Sequence, residues 1–259
     1  MKKTIMLGCL LLSTSFFLSC EAWEDESYHP GGNTGDGMLL KEVKTTTNGA
    51  EALTTYTYDA ENRVKEIFHY SDILDMETYA HTVNTYSSET SYTSVTNTHQ
   101  GDLIESTTTM TAQINGNLLN IDMEMEVGGE VMMTMTNEMT FSAPCGVTEN
   151  LMNLIAEGMP PMEVLITYQY TDANCSYKEF QNGDLTNTVT NDDKFSPYTT
   201  PEAMAMGIVQ HNYIKMEGAD GTVENVLYTY NEDGYPTKAI HTFSGTSDGT
   251  NFTEEFFYY

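Results

Sequence analysis

Tight-turn dipeptides divide the chain into segments of strand length from residue 38 onward. Each pairs glycine with asparagine or aspartate: Asn48-Gly49, Gly101-Asp102, Asn115-Gly116, Asn182-Gly183, Asp220-Gly221, Asp233-Gly234 and Asp248-Gly249. The segments between them are rich in Thr, Tyr, Val, Ile and Met and alternate in polarity, which is typical of strands. Long helical segments between strands are missing, which disfavours parallel pairing. The pattern predicts an all-β fold, a large curved antiparallel meander sheet or an open barrel.

Two short segments carry helical signals instead. The first spans residues 148–157, from the candidate N-cap Thr148 to the helix-terminating Gly158. The second spans residues 201–210, where Pro201 suits the first helical turn. We therefore expect two short helices that cover one end of the curved sheet.

The first 26 residues have the features of an exported lipoprotein. A short basic segment precedes an apolar run that is too short to span a membrane as a helix. The run ends in Phe17-Leu18-Ser19-Cys20, which resembles the bacterial lipobox and implies cleavage before Cys20 and lipidation of that cysteine. The acidic residues that follow it resemble the export tag of Bacteroidetes surface lipoproteins. The simpler alternative is an ordinary secretion signal followed by a charged linker.

Cleavage before Cys20 predicts three regions: a signal peptide (1–19), an acidic and Gly-rich tether (20–37) and a single antiparallel β domain (38–259). Two of the 10 basic residues leave with the signal, so 8 basic residues remain against 38 acidic ones, a net charge of −30 with His neutral. Such a surface repels phosphate, which argues against nucleic acid as a partner. We expect a protein anchored by lipid in the outer membrane, at the cell surface.

Two cysteines remain for structural use in the mature chain. Cys9 leaves with the signal and Cys20 takes the lipid, which leaves Cys145 and Cys175. An isolated pair in an oxidising compartment is more often a disulfide than a metal or catalytic site. We therefore predict a disulfide between Cys145 and Cys175.

A degenerate motif of two tyrosines and an acidic turn recurs along the chain. The copies are Tyr56-Thr57-Tyr58-Asp59, Tyr228-Thr229-Tyr230-Asn231 and, more weakly, Tyr168-Gln169-Tyr170-Thr171-Asp172. The two tyrosines of each copy lie two residues apart and therefore on one face of a strand. The tyrosine-aspartate turn resembles the repeats of secreted Rhs-type proteins, although the long tandem array is absent.

The two ends of the β region resemble a known family. The opening Leu39-Leu40-Lys41-Glu42-Val43 with its tyrosine motif, and the closing Tyr228-Thr229-Tyr230-Asn231-Glu232-Asp233-Gly234-Tyr235-Pro236-Thr237, are similar to a Bacteroidetes family of lipoproteins. That family has unknown function and is described as having a porin-like fold. The resemblance implies a porin-like shape and implies no activity.

A methionine-rich hairpin lies in the middle of the chain. A three-residue turn, Val127-Gly128-Gly129, predicts the pairs Met125 with Val131, Met123 with Met133 and Ile121 with Met135. In that register Met123, Met125, Met133 and Met135 share one face. Thioethers suit copper(I), but methionine more often fills a core or lines an apolar pocket. We predict no metal site and no cofactor.

Catalytic patterns are weak. The letters Gly245-Thr246-Ser247-Asp248-Gly249 match a nucleophile elbow, but no helix or later histidine follows them. The acidic turns at 191–193 and 231–234 are weak calcium candidates, and solvated turn acids are the simpler interpretation. A barrel that spans a membrane is disfavoured because Thr, Asn and acidic residues crowd most strands.

The sequence favours a noncatalytic binding or scaffolding module for a glycan, peptide or apolar ligand. The candidate binding residues are Tyr56, Tyr58, Tyr228, Tyr230, Met123, Met125, Met133 and Met135. Exposure of the tyrosines favours binding and their burial favours a core role. One alternative is a carrier of lipid or another apolar ligand, which needs a deep apolar concavity near the methionine hairpin. Another is an envelope hydrolase, which needs two carboxylates or a Ser/His pair in a cleft. The sequence leaves the oligomeric state open.

Overall fold

The alternating segments form strands that pair with their neighbours in sequence. A computed structural model describes residues 38–72, 77–88, 90–100, 104–198, 211–246 and 249–259. The strands in these ranges are β1 (Leu40–Thr47), β2 (Ala50–Tyr58), β3 (Val64–Ser71), β4 (Thr78–Ser88), β5 (Ser91–Gln100), β6 (Ile104–Asn115), β7 (Leu118–Val127), β8 (Glu130–Ser142), β9 (Gly146–Ala156), β10 (Met162–Tyr170), β11 (Tyr177–Gln181), β12 (Asp184–Phe195), β13 (His211–Gly218), β14 (Thr222–Tyr230), β15 (Pro236–Gly245) and β16 (Phe252–Tyr258). Each pairs antiparallel with the next.

The first and last strands also pair with each other, which closes the sheet into a barrel. The prediction of an all-β antiparallel meander is confirmed, but an open sheet or open barrel is wrong. Val43 of β1 lies opposite Phe256 of β16, and both side chains are buried. Closure satisfies the backbone groups that two open edges would leave unpaired.

The predicted helix at 148–157 is wrong, because this segment lies almost entirely in β9. Its backbone pairs with β8 on one side and β10 on the other, and this tertiary pairing overrides the local helical signals. The other predicted helix, 201–210, lies outside the described residues. In the ranges that the structure covers, no helix is long and apolar enough to cross a membrane.

The up-and-down order of the strands gives the barrel two distinct ends. The turns after even-numbered strands lie at one end, where β1 begins and β16 finishes; we call it the terminal end. The turns after odd-numbered strands lie at the opposite end, the far end. Residues 20–37 precede β1, so the predicted tether joins the barrel at the terminal end.

Burial identifies the inner face of the wall, because side chains alternate between the two faces of a strand. On β7, Leu119 and Ile121 are each 1% exposed, whereas the next residue, Asp122, is exposed. Two apolar clusters cover parts of this inner face. One consists of Leu40, Val43, Tyr56, Val64, Val226, Ala239 and Phe256. The other consists of Tyr92, Met110, Ala112, Leu119 and Ile121.

Tyrosine hydroxyls fix neighbouring strands together at the terminal end. The Tyr58 hydroxyl donates to the Leu40 carbonyl at 2.8 Å, and the Tyr86 hydroxyl donates to the Val64 carbonyl at 2.9 Å. Tyr170 and Tyr258 donate in the same way to the carbonyls of Val147 and Pro236, each at 2.7 Å. In each case an even-numbered strand supplies the tyrosine and the preceding strand supplies the carbonyl.

The turns of the recurring motif share one hydrogen-bond pattern. Asp59 Oδ1 accepts from the backbone N–H groups of residues 61 and 63, at 3.0 and 2.9 Å. Asn231 Oδ1 accepts from residues 233 and 235 at 3.1 and 2.9 Å, and Asp172 Oδ1 accepts from residues 174 and 176 at 2.9 and 3.0 Å. The acidic or amide residue of the motif therefore builds the turn itself.

Candidate functional site

The methionine hairpin has a different turn from the predicted one. Gly128 and Gly129 form a two-residue turn with φ values of 63° and 83°, and Val127 lies opposite Glu130. A register shift follows, so the predicted pairs of Met125 with Val131, Met123 with Met133 and Ile121 with Met135 are wrong. The observed pairs are Met125 with Met133, Met123 with Met135 and Ile121 with Asn137.

A bulge beside the turn explains why the apolar face survives. The ladder passes from Met125–Met133 to Glu126–Val131, which leaves Met132 as an extra residue. A β-bulge accommodates one extra residue in the strand. The residues beyond it, Met133 and Met135, therefore still point to the inner face. Met123, Met125, Met133 and Met135 thus share the inner face, as the sequence predicted.

Apolar side chains continue across five strands. Following the ladders from β6 to β10, the residues Met110, Met123, Met135, Leu154 and Met162 lie opposite one another in turn. We define the methionine wall as the inward residues of these strands around this row: Met110, Met123, Met125, Met133, Met135, Met152, Leu154, Met162 and Val164. The wall is more exposed towards the far end.

Several side chains of the methionine wall face inward and are still partly exposed. Met110 and Met135 are 8% and 4% exposed, whereas Met123, Met125 and Met133 are only partly buried although they face inward. A barrel of sixteen strands encloses more volume than its own side chains occupy. Inward residues that keep part of their exposure therefore border an accessible interior.

The outer face of β6, β7 and β8 is mainly polar. Apart from Leu118 and Val131, its outward positions include Thr107, Thr109, Thr111, Asn120, Asp122, Glu124, Glu126, Thr134, Thr136, Glu138 and Thr140. Membrane-spanning barrels have the opposite arrangement, with apolar side chains towards lipid and polar ones towards the lumen. On β6, β7 and β8 these acidic side chains therefore lie outside and the methionines of the wall lie inside.

Two asparagines interrupt the apolar inner face. Asn137 lies opposite Ile121 and Met152, and Asn150 lies opposite Met139 and Ile166. Their side-chain oxygens are buried and accept no hydrogen bond from any part of the chain that the structure describes. A buried polar atom without a partner costs about 1–3 kcal/mol. Neither residue was predicted from the sequence, although Asn137 breaks the run Met133, Met135, Met139.

A buried charged cluster lies elsewhere on the inner face. The His241 ring lies between two carboxylates, with Nδ1 2.7 Å from Glu224 Oε1 and Nε2 3.1 Å from Glu254 Oε2. The Tyr213 hydroxyl donates to Glu224 Oε1 at 3.2 Å. Phe252 stacks on the imidazole with a centroid distance of 4.0 Å.

The cluster is arranged to hold a proton. Burial alone would lower the pKa of His241, but hydrogen bonds and charges from Glu224 and Glu254 outweigh it and raise that pKa above its ordinary value. Both ring nitrogens face a carboxylate, so neither is free to act as a general base. The imidazole also separates the two carboxylates, which leaves no common space for a substrate between them. The cluster suits a structural role.

The candidate tyrosines lie apart from the methionines. Tyr56 is 5% exposed within the cluster of β1–β3 and β14–β16, and Tyr58 and Tyr228 pack against that cluster. Tyr228 stacks with Tyr230 at a centroid distance of 5.8 Å, and the Tyr230 hydroxyl donates to Asp192. This burial favours a core role for Tyr56, Tyr58 and Tyr228.

A groove lies where β13 and β14 separate. The two strands pair only between Lys215–Glu217 and Val223–Asn225. Beyond these pairs a groove of about 600 Å³ is lined by Asp192, Ile214, Asn225, Val226, Leu227, Tyr228, Tyr230, Ile240 and Thr242. Leu227 is 70% exposed beside it. Outward aliphatic side chains dominate the rim of the groove, so it offers few groups that could take part in a reaction.

The predicted disulfide is confirmed. Cys145 and Cys175 are bonded, with a Cα–Cα distance of 5.2 Å and a sequence separation of 30. The bond joins the turn after β8 to the turn after β10 at the terminal end. Cys20, the predicted lipidation site, lies outside the described residues.

Comparisons with known proteins found solved structures that align with this chain at low sequence identity. No family model and no curated protein match the chain. A porin-like protein from Bacteroides uniformis ATCC 8492 aligns with a TM-score of 0.48 and 11% identity, over 85% of this chain and 96% of that one. A porin-like protein from Bacteroides vulgatus ATCC 8482 aligns with a TM-score of 0.46 and 8% identity, over 86% of this chain and 99% of that one. These identities are too low to transfer any residue role to this chain.

Proposed function

We propose that this protein is a noncatalytic binding module of the cell envelope whose barrel takes up an apolar ligand. The observation that carries the proposal is the methionine wall, an inward apolar surface that is only partly buried. The outer face of β7 and β8 carries acidic residues instead. This arrangement supports the carrier alternative, since it puts an apolar and partly exposed surface inside the barrel at the methionine hairpin. The ligand enters from the far end, where Met162 is 40% exposed.

The energetics favour an apolar occupant. Transfer of apolar surface from water contributes about 25 cal/mol per Å², so burial of about 200 Å² of ligand surface contributes about 5 kcal/mol. Methionine suits such a wall because its unbranched, polarizable side chain adapts to ligands of different shape. The two apolar clusters of the inner face lie near the terminal end and limit how deep a ligand can enter from the far end.

The sequence supports the envelope location. Residues 1–19 have the pattern of a lipoprotein signal, and Cys20 is placed for lipidation. A lipid anchor at Cys20 leaves the barrel wall free of membrane contact, which suits its carboxylate-rich outer face. We propose that the protein is held at the outer membrane, on the cell-surface side, by this anchor.

A fluorescent hydrocarbon tests the proposal directly. Diphenylhexatriene is neutral, carries no hydrogen-bond donor and fluoresces in apolar surroundings. We expect saturable binding to the purified protein. The Met133→Gln variant puts an amide into the methionine wall, and its desolvation weakens binding about tenfold, equivalent to about 1.4 kcal/mol.

The matched control is Thr134→Gln, which places the same side chain on the outer face of the same strand. This variant keeps the affinity of the unmodified protein, and thermal melts check that both variants fold. Absence of saturable binding to the unmodified protein overturns the proposed function. Equal loss in both variants locates the probe outside the interior and overturns it as well.

A further inference from the structure

The two asparagines of the inner face point to a polar subsite within the apolar interior. Asn137 is 6% exposed, and its Oδ1, like that of Asn150, lacks a hydrogen-bond partner among the described residues. Buried polar groups in native proteins are nearly always satisfied by protein, ordered water or ligand. Each oxygen therefore has an unused capacity to accept a hydrogen bond.

The ladder between β8 and β9 makes the two asparagines neighbours on the inner face. Asn137 lies opposite Met152, and Met139 lies opposite Asn150, so the asparagines are diagonal neighbours on the inner face. Diagonal neighbours in an antiparallel pair are roughly 7–8 Å apart at their Cα atoms. That spacing allows one polar head group to contact both amides once it displaces the side chains that cover their oxygens.

The surroundings restrict the charge of that head group. The inward positions of β6 to β10 carry no Asp, Glu, Lys, Arg or His among the side chains that the structure describes. A buried charge without a counter-charge is strongly unfavourable. A carboxylate or phosphate also offers only acceptors to the two unsatisfied oxygens. The subsite favours a neutral group that donates hydrogen bonds.

The position of the subsite sets the direction of the ligand. Asn137 and Asn150 lie deeper than Met125 and Met133, which are next to the far end. We propose that Asn137 and Asn150 bind the hydroxyl head of a neutral long-chain alcohol or similar lipid, with its tail along the methionine wall. This inference rests on the proposed function and adds the class of ligand.

Three probes of equal chain length test the head group in displacement of diphenylhexatriene. Dodecan-1-ol donates a hydrogen bond, 1-methoxydodecane accepts only, and dodecanoate is an anion at neutral pH. We expect the alcohol to displace the hydrocarbon at about one tenth of the concentration that the ether needs, and dodecanoate to be the weakest.

The double variant Asn137→Leu/Asn150→Leu tests the residues. Leucine has a similar size, and removal of buried unsatisfied groups leaves folding intact. The variant is expected to bind diphenylhexatriene and the ether as before and to lose the preference for the alcohol. The matched control Asn153→Leu, on the outer face of β9, keeps that preference.

The outcomes separate the two proposals. No diphenylhexatriene binding by the unmodified protein overturns the proposed function and this inference together. Probe binding with equal displacement by alcohol and ether overturns this inference alone, as does an alcohol preference that persists in the double variant. Tighter binding of dodecanoate than of the alcohol contradicts the neutral subsite.

Discussion

The His241→Leu variant is expected to lose about 3–5 kcal/mol of unfolding free energy at pH 6. The substitution leaves the Glu224 and Glu254 carboxylates, whose side chains are 5% and 19% exposed, without their buried partner. Urea denaturation measures the loss. The control His99→Leu, at an exposed outward position, changes the unfolding free energy by about 0.5 kcal/mol or less.

The unfolding free energy lost in His241→Leu is expected to be larger at low pH than at high pH. The pKa of His241 is raised in the folded barrel, so the stability that its protonation contributes is fully present below its unfolded value of about 6.5. That contribution disappears as the pH rises through the raised folded pKa. The difference between the unmodified protein and His241→Leu therefore shrinks towards high pH. A difference that grows with pH contradicts a protonated imidazole between two carboxylates.

The Cys145→Ala/Cys175→Ala variant is expected to lose about 3–4 kcal/mol, because the disulfide removes the closure entropy of a loop of 30 residues from the unfolded chain. Denaturation of the unmodified protein with and without a thiol reductant provides the matched comparison. The reduced protein and the variant share one midpoint, below that of the oxidised protein. Coincident midpoints for all three samples contradict a stabilising role.

Local patterns predicted the strands because apolar and polar residues alternate with a period of two along each segment. The alternation of Ile121, Met123 and Met125 with acidic residues was sufficient to place the methionines on one face. Barrel closure has no such local signal. It depends on the meeting of Val43 and Phe256, which are more than 200 residues apart, at the end of a chain of fifteen correct pairings.

Single-residue irregularities limited the prediction of register. Asn-Gly and Gly-Gly turns are visible in the sequence, but the extra residue at Met132 is not, because a bulge is determined by the packing on both sides of the strand. The segment 148–157 failed for a related reason. Its apolar residues suit a helix or a strand, and only pairing with β8 and β10 decides between them.

The sequence predicted only part of the candidate site. The methionines were identified, but three of the candidate tyrosines, Tyr56, Tyr58 and Tyr228, belong to or pack against a core cluster on other strands. Asn137 was detectable as a polar residue in an apolar alternation, yet its relation to Asn150 requires the β8–β9 register. The same holds for Glu224, His241 and Glu254, which come from three adjacent strands.

An apolar ligand inside the barrel can be located directly by crystallography. Crystals grown with 12-bromododecan-1-ol locate the ligand through the anomalous scattering of bromine. We expect a bromine peak in the interior near Met125 and Met133, with the hydroxyl at Asn137 and Asn150. Bromine found only in the outer groove between β13 and β14, beside Leu227, contradicts this expectation.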